Sequence, residues 1–358
     1  MDSRKGAVTP PPDDPNKPLT YRDAGVDIAS QDEGLRRIRA LIHSTRTPGV
    51  LADLGAFGGV FALDLRGLNE PVLVASCDGV GTKLAVAMEA GIHDTVGRDL
   101  VNHSVNDILV QGARPLFFLD YVAMGRLDPG VFAKIVEGIA TGCREAGCAL
   151  LGGETAEMPG FYRPGEYELA GFIVGIVDRK RILDGSRIEA GDVLVGLPSA
   201  GLHTNGYSLA RKILFERCGL KIASRLEELQ ATVADLLLAE HRSYLRVLEG
   251  ALEANLLLGL AHITGGGLTD NLPRILPKGT AARILRGSWP VPGLFSYLKR
   301  MGGVPEAEMY RTFNMGVGMV AVVRSEKLSE LEAHLDRQGE KHHRIGSVES
   351  GDRTVVYV

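Results

Sequence analysis

Asp78-Gly79-Val80-Gly81-Thr82-Lys83 brings a carboxylate, two glycines, a hydroxyl and an ammonium into one short stretch. It follows an apolar run that reads as a buried strand and precedes a helix-forming run. Glycine leaves backbone N–H groups open to a ligand, a helix start favours an anion, and Lys83 adds a point charge. A carboxylate such as Asp78 at a strand end is well placed to hold a divalent cation. The spacing is not GxxxxGK[ST], and no GxGxxG follows the strand, so neither a Walker A loop nor a dinucleotide fold is indicated. A tight strand-to-helix turn with a solvated lysine accounts for the same residues equally well.

A second concentration lies on a helix expected from Asp94 to Gln111. At 100° per residue, Asp99, Asn102, His103, Asn106 and Asp107 fall within an arc of about 140°, opposite Val101, Val105, Ile108 and Leu109. Short acids and amides without a basic residue suit a hard cation and its waters, or a merely solvated face. Further along, Gly152-Gly153-Glu154 opens GGETAEMPG, where Glu154 and Glu157 could bind a cation or a ribose hydroxyl. In GLHTNGYSL, His203, Thr204 and Asn205 could move a proton and orient a small polar substrate, although a lone histidine is more often structural. Thr264-Gly265-Gly266-Gly267 precedes another helix, and consecutive glycines are costly unless their backbone binds something, commonly a phosphate. No HExxH and no Ser-His-Asp order is evident.

The elements that must carry these residues alternate. Helices are expected at Gln31–Thr45 (capped by Ser30 with Glu33), Leu84–Ala90 and from Pro129, capped by Asp128 and ended by Gly147. Strands are expected at Val72–Cys77, Leu116–Val122, Cys148–Leu151, which then enters a Gly-Gly-Glu loop, and Leu169–Val177. The chain turns polar between Asp178 and Asp192, where a boundary is placed. Beyond it come a strand at Val193–Leu197, a helix at Tyr207–Cys218, helical stretches over Glu227–Gly250, and strands near Gly316–Val323 and Thr354–Val358 around a helix at Lys327–Arg337. Both halves start as strand, glycine-polar loop and helix. The expected class is α/β (α+β) with two related domains, 19–178 and 179–358, behind a proline-rich, disordered tail over 1–18.

Composition narrows the function. The 358 residues are 45% hydrophobic and 23% charged with a net charge of −4, an ordinary globular balance. No basic surplus points to nucleic acid, no apolar run is long enough for a bilayer, and no signal-peptide core is seen, so a cytoplasmic protein is expected. Cys77, Cys143, Cys148 and Cys218 form no CxxC pair, which suits a reducing compartment and argues against a disulfide framework or a zinc site. Glycine is the outlier, with 45 residues against an average of about 7%.

Taken in order, AGVDI (Ala24 to Ile28), DGVGTK, VND (Val105 to Asp107), GGETAEMPG, GLHTNGYSL, TGGG and MYRTFNMGVGM (Met309 to Met319) resemble the phosphoribosylformylglycinamidine cyclo-ligase (aminoimidazole ribonucleotide synthetase) family. The likeness runs from about Leu19 to Val358. It implies conversion of formylglycinamidine ribonucleotide and ATP to aminoimidazole ribonucleotide, ADP and phosphate, in purine biosynthesis. It also implies Mg²⁺ and a homodimer in which N-terminal-domain strands of both subunits form a barrel, with a long cleft near the subunit contact.

Carried onto this chain, Asp78 and Asp107 are metal ligands, and Asn106 serves the metal's waters or the nucleotide. Gly79, Gly81, Thr82 and Lys83 contact phosphates, and Glu154 sits on the nucleotide side. His203 transfers protons, Asn205 and Thr204 orient the amidine, and Gly265, Gly266 and Gly267 hold the ribose phosphate. The sequence departs from relatives at Arg39, where some carry lysine, at His103-Ser104, and at Thr204, commonly serine. Alternatives are formylglycinamidine ribonucleotide synthetase, selenophosphate synthetase, thiamine monophosphate kinase, the hydrogenase maturation dehydratase, or a non-catalytic ATP-binding scaffold. The terminal VVYV lacks the cysteine expected of the maturation protein, and no cysteine sits in a glycine-rich N-terminal loop as selenophosphate synthesis would need.

Overall fold

The computed structural model describes residues 18–52 and 57–358, so nearly all of the proline-rich tail expectation falls outside it. Two mixed sheets organise the chain. The first comes from α1 (Ile28–His43), β1 (Pro71–Gly79), α2 (Lys83–Ala90), α3 (Asp94–Leu109), β2 (Arg114–Met124), α4 (Pro129–Ala146), β3 (Ala149–Glu157) and β4 (Tyr167–Asp178), with strand order β1-β4-β2-β3. All its pairs are antiparallel except β2 with β3.

The second is built from β5 (Val193–Pro198), α5 (Tyr207–Arg211), a small β6–β7 ribbon (Arg225–Leu226 and Ala231–Thr232), α6 (Val233–Leu237), α7 (Leu245–Glu253), β8 (Leu257–His262), α8 (Gly267–Asn271) and β9 (Thr280–Ile284). It is completed by α9 (Gly293–Gly302), α10 (Glu306–Thr312), β10 (Val317–Val323), α11 (Leu328–Arg337), β11 (His343–Ser350) and β12 (Val355–Tyr357). Its six-stranded order is β12-β9-β11-β5-β10-β8. A four-stranded and a six-stranded sheet share only their opening strand, loop and helix.

Local chemistry explains most boundaries. Asp128 accepts from the backbone N–H of Gly130 and Val131 with Pro129 next to it, and left-handed Gly147 ends α4. The start of α1 differs from expectation: Asp27, not Ser30, caps it, accepting from Ala29 and Ser30. The expected Gly-Gly-Glu loop is instead the middle of β3, because parallel pairing with β2 carries through Gly152 and Gly153 to Glu157. The long helix expected at Tyr207–Cys218 breaks after one turn into a wider π-type turn over 212–217.

One face of the first sheet is covered by α3 and α4. Leu100, Val105, Ile108, Phe118, Ile135, Ile139 and Ile173 are all buried there. Gly97 and Gly138 let the two helices touch backbone to backbone: a Cβ at Gly138 would lie 1.9 Å from the Asp94 carbonyl oxygen. The other face carries Leu73 and Phe172, 56% and 42% exposed, where an antiparallel sheet facing water would carry polar residues.

Candidate functional site

The polar stripe of α3 does not face water. It is the seam on which the second half of the chain rests. The Asp99 carboxylate accepts from the His241 N–H at 2.6 Å, and the Asn102 amide donates to the His241 carbonyl at 2.7 Å. Asn106 donates to the Arg242 carbonyl at 2.7 Å and accepts from the Tyr244 N–H at 3.0 Å. Short amides and acids are what this seam needs, because they match the donors and acceptors of a non-helical backbone with no spare length to bury. Asp99, Asn102 and Asn106 thus spend their polar groups on the backbone of 241–244, clasping the two halves of the chain.

Lys83 belongs to the same clasp. It opens α2 with its side chain fully enclosed, 2.6 Å from the Asp99 carboxylate and 2.7 Å from the Ala239 carbonyl that it donates to. Burial pushes the Asp99 carboxyl up, against the pull of Lys83. The ammonium is engaged by Asp99 and the Ala239 carbonyl.

Asp78 and Asp107 do come together, around His103. His103 Nε2 lies 2.8 Å from Asp78 Oδ2 and 3.6 Å from Asp107 Oδ2. His103 and Asp107 stand one turn apart on α3, and Ser76 donates to Asp107 from β1 at 3.0 Å. His262, at the end of β8, places Nδ1 2.9 Å from Asp107 Oδ1. The His103 contact pulls the Asp78 carboxyl below its ordinary range. Burial works to raise Asp107, but contacts from His262 and His103 prevail and lower it. For His103, burial opposes the charged form while Asp78 and Asp107 prevail and raise it. The donor set fits a divalent cation: two anionic carboxylates converge on one point beside imidazole nitrogen.

The remaining expected residues divide. Thr204 is nearly buried and turns its hydroxyl to His103 Nδ1 at 2.8 Å and His241 Nδ1 at 3.3 Å, so it orients imidazoles. His203 has no exposed surface. Its Nε2 accepts from the Ala200 N–H at 3.1 Å, its φ is +60°, and its ring stacks on His241 with centroids 4.1 Å apart. Gly318 permits this packing, since a Cβ there would stand 2.6 Å from the His203 ring. Burial drives the His203 pKa well down. The ring is thus enclosed and held toward its neutral form behind the site, with its Nε2 engaged by backbone.

Three glycine-flanked loops nevertheless meet. Thr82 Oγ1 lies 3.3 Å from Ser208 Oγ, joining DGVGTK to GLHTNGYSL. Asn205 Oδ1 approaches Gly265 closely enough that a Cβ there would be 3.3 Å away. Gly79 and Gly81 stay at the edge of this region. Of the triple glycine, Gly267 has a packing reason of its own, at φ +58° with a Cβ position 2.1 Å from the Tyr310 carbonyl oxygen. A cleft of about 510 Å³ opens beside the loops, lined by Ser76, Asp107, His262, Thr264, Asn271 and Arg274 among others. Glu154 is elsewhere. It lies on β3, the opposite edge of the first sheet from the β1 strand of Asp78, three strand spacings or roughly 14 Å across.

His262 and His241 had no place in the sequence reading. Their signals were faint: His262 ends an apolar run just before TGGG, and His241 falls in a stretch that reads as helix.

Residues 60–177 match the family described as AIR synthase related protein, N-terminal domain, and residues 189–358 the corresponding C-terminal domain. A phosphoribosylformylglycinamidine cyclo-ligase of Trichlorobacter lovleyi is 53% identical over 331 residues, covering 92% of this chain and 95% of its own. One from Sorangium cellulosum is 54% identical over 334 residues, covering 93% and 96%. Among solved structures, the hydrogenase maturation protein HypE in complex with ATP superposes with a TM-score of 0.64 at 22% identity over 90% of both chains, which is a likeness of fold.

Proposed function

The chain belongs to the AIR synthase related family, in company with phosphoribosylformylglycinamidine cyclo-ligases, and from that premise we propose how its interdomain cleft closes an imidazole ring. It is an enzyme of the ligase class, acting in purine biosynthesis. Its substrate is formylglycinamidine ribonucleotide. An amide oxygen is a poor leaving group, so the formyl oxygen takes the terminal phosphoryl group of ATP. An amidine nitrogen then attacks the formyl carbon, the carbon–oxygen bond breaks, and phosphate departs with loss of a proton from nitrogen. Most of what such a site contributes is position and charge.

The chain's residues take these roles. Asp78 and Asp107 hold Mg²⁺, which when bound neutralises phosphate charge. Gly79, Gly81 and Thr82, in a loop with an exposed tip, meet the phosphates. Asn205, beside Gly265, orients the amidine, and Gly265 with Gly266 offers backbone to the ribose phosphate. Thr204 holds His103, and His203 backs His241, so both act by position. Lys83 and Asn106 hold the domains in register. Residues 19–178 form the nucleotide and dimerisation domain and 179–358 the substrate domain.

The apolar, uncovered face of the first sheet fits a second copy of the chain, closing strands from two subunits into a barrel. Glu154 and Arg39, both on that sheet's far side from Asp78, then belong to a nucleotide contact completed by the pair. No described helix is long and apolar enough to cross a membrane, and a cytoplasmic enzyme is in keeping with the activity.

The observation that carries this reading is the meeting of three glycine-flanked loops from two domains beside the Asp78–Asp107 pair. The test is direct. Purified protein given formylglycinamidine ribonucleotide, ATP and Mg²⁺ should release aminoimidazole ribonucleotide and ADP in equal amounts. ADP release indifferent to the ribonucleotide would defeat the reading.

A further inference from the structure

MYRTFNMGVGM, a motif to which the reaction gives no part, is wedged between two loops that have one. Its first residues end α10, and the turn Asn314-Met315-Gly316 leads into β10. The TGGG loop rests on it at Gly267, where a Cβ would stand 2.1 Å from the Tyr310 carbonyl oxygen and 2.8 Å from that of Phe313. Thr269 donates to the same Tyr310 carbonyl at 3.3 Å. The GLHTNG loop rests on it at Gly206, where a Cβ would meet the Phe313 ring at 2.4 Å. Phe313 is buried, so its carbonyl is held against one loop and its ring against the other.

Asn314, also buried, commits both polar atoms of its side chain. Its Nδ2 donates to the Gly201 carbonyl at 2.8 Å, at the start of the loop that carries Thr204 and Asn205. Its Oδ1 accepts from the Gly316 N–H at 2.9 Å. The Ser199 hydroxyl lies 3.0 Å from that oxygen and 3.0 Å from the Gly201 carbonyl. A turn whose task was only to enter β10 would need the Gly316 bond and not the Gly201 one.

The backbone beside this contact is strained on both sides. Met315 at φ +51° and His203 at φ +60° are left-handed without being glycine. Such conformations are costly, persist only where the surroundings over-determine them, and gather at functional sites. Here Trp289 donates to the Met315 carbonyl at 2.9 Å, and His203 is stacked and enclosed. The TGGG loop is stiff in its own right. Asn271 Nδ2 lies 2.8 Å from the Gly267 carbonyl and 3.2 Å from that of Gly265, so a shift at Gly267 reaches Gly265. Asn205 Oδ1 borders Gly265 from the other loop.

We propose that Asn314 is a positioning residue for the ribonucleotide. With the backbone of 310–313 it holds the GLHTNG and TGGG loops in one register, so that Asn205, Gly265 and Gly266 present a single surface. The inference rests on the reading of those loops as the substrate side, and it deepens that reading by naming what sets their geometry.

The test is hydrogen exchange on the full-length enzyme without ligand, followed by kinetics. The Asn205 and Gly267 amides donate within their own loops, to the Leu202 and Thr264 carbonyls. In Asn314→Ala both should exchange about 10-fold faster, the scale of losing one buried hydrogen bond, while amides of β4 keep their rates. KM for formylglycinamidine ribonucleotide should rise by a similar factor, with KM for ATP little changed. If Asn314→Ala does not fold, Phe313→Leu, which withdraws the ring from Gly206 and stays apolar, decides by the same readouts. Unchanged exchange in both loops, or loosening of one alone, overturns the shared register. Lower stability with both KM values at wild type makes Asn314 a residue of the fold only and overturns the proposal. A wild type that makes no aminoimidazole ribonucleotide removes the cyclo-ligase reading and leaves exchange to judge the wedge; turnover with exchange unchanged in the variant does the reverse.

Discussion

Lys83 Nζ and the Asp99 carboxylate meet at 2.6 Å with neither side chain reaching solvent. A motif that reads as a phosphate loop thus ends in a lysine spent on holding two domains together. Removing one member of a buried pair strands the other, at about 3–5 kcal/mol. Lys83→Met should lower stability by that order in urea unfolding, and the double variant Lys83→Met/Asp99→Asn should recover part of the loss. Full stability in Lys83→Met, coupled with lost ATP turnover, would return Lys83 to the nucleotide.

The same pair shows how far sequence could be read. Glycine-flanked motifs and the 3.6-residue pattern of α3 were legible because they are local. Which partner the polar stripe of α3 meets was not, because the backbone of 239–244 arrives from more than a hundred residues away. The stretch Gly152–Glu154 looked like a loop because glycine pairs poorly in isolation; pairing with β2 overrides that. His203 stood out by its loop position, yet its chemistry is set by burial, which spacing does not report. His262 was invisible until β8 carried it to α3.

Stability should fall as pH drops below about 6.5. His203 and His241 are held well below their ordinary pKa of 6.5, burial being the main cause, with neighbouring His262, His103 and Lys83 adding to it. Below that value the unfolded chain binds protons that these folded rings refuse, so each contributes a loss approaching about 1.4 kcal/mol per pH unit. His103, whose pKa is raised, acts with the opposite sign: its contribution is complete below 6.5 and fades as pH rises through its folded value. Urea unfolding between pH 8 and 5.5 reads the net slope, and His241→Gln should flatten it. A stability independent of pH across this range would contradict the burial of neutral rings.

The uncovered sheet face is where the proposed subunit contact can be tested. Phe172 is 42% exposed in the single chain, beside Leu73. Phe172→Glu should halve the mass measured by light scattering and reduce turnover, because desolvating a carboxylate on an apolar face costs several kcal/mol. An unchanged mass would place the subunit contact elsewhere, and a monomeric wild type would remove it.

Thr204 should matter through its hydroxyl alone. It touches His103 and His241 and has little exposed surface. Thr204→Ser should keep kcat near wild type, while Thr204→Val should lower it by about 10-fold, because His103, which faces Asp78 and Asp107, loses the hydroxyl that orients it, with KM for ATP little changed. Equal effects of the two variants would mean that the methyl group, not the hydroxyl, is what the site uses.

Asp107 joins the carboxylate pair, His262 and the interdomain cleft. The most direct measurement is the initial rate of ADP release on adding formylglycinamidine ribonucleotide to wild type and to Asp107→Asn, at matched folded fractions. A fall of about 100-fold or more, the usual scale for losing a charge that stabilises a transition state, is the expected result. A folded Asp107→Asn that releases ADP and aminoimidazole ribonucleotide at the wild-type rate would contradict the placement of ring closure at this seam.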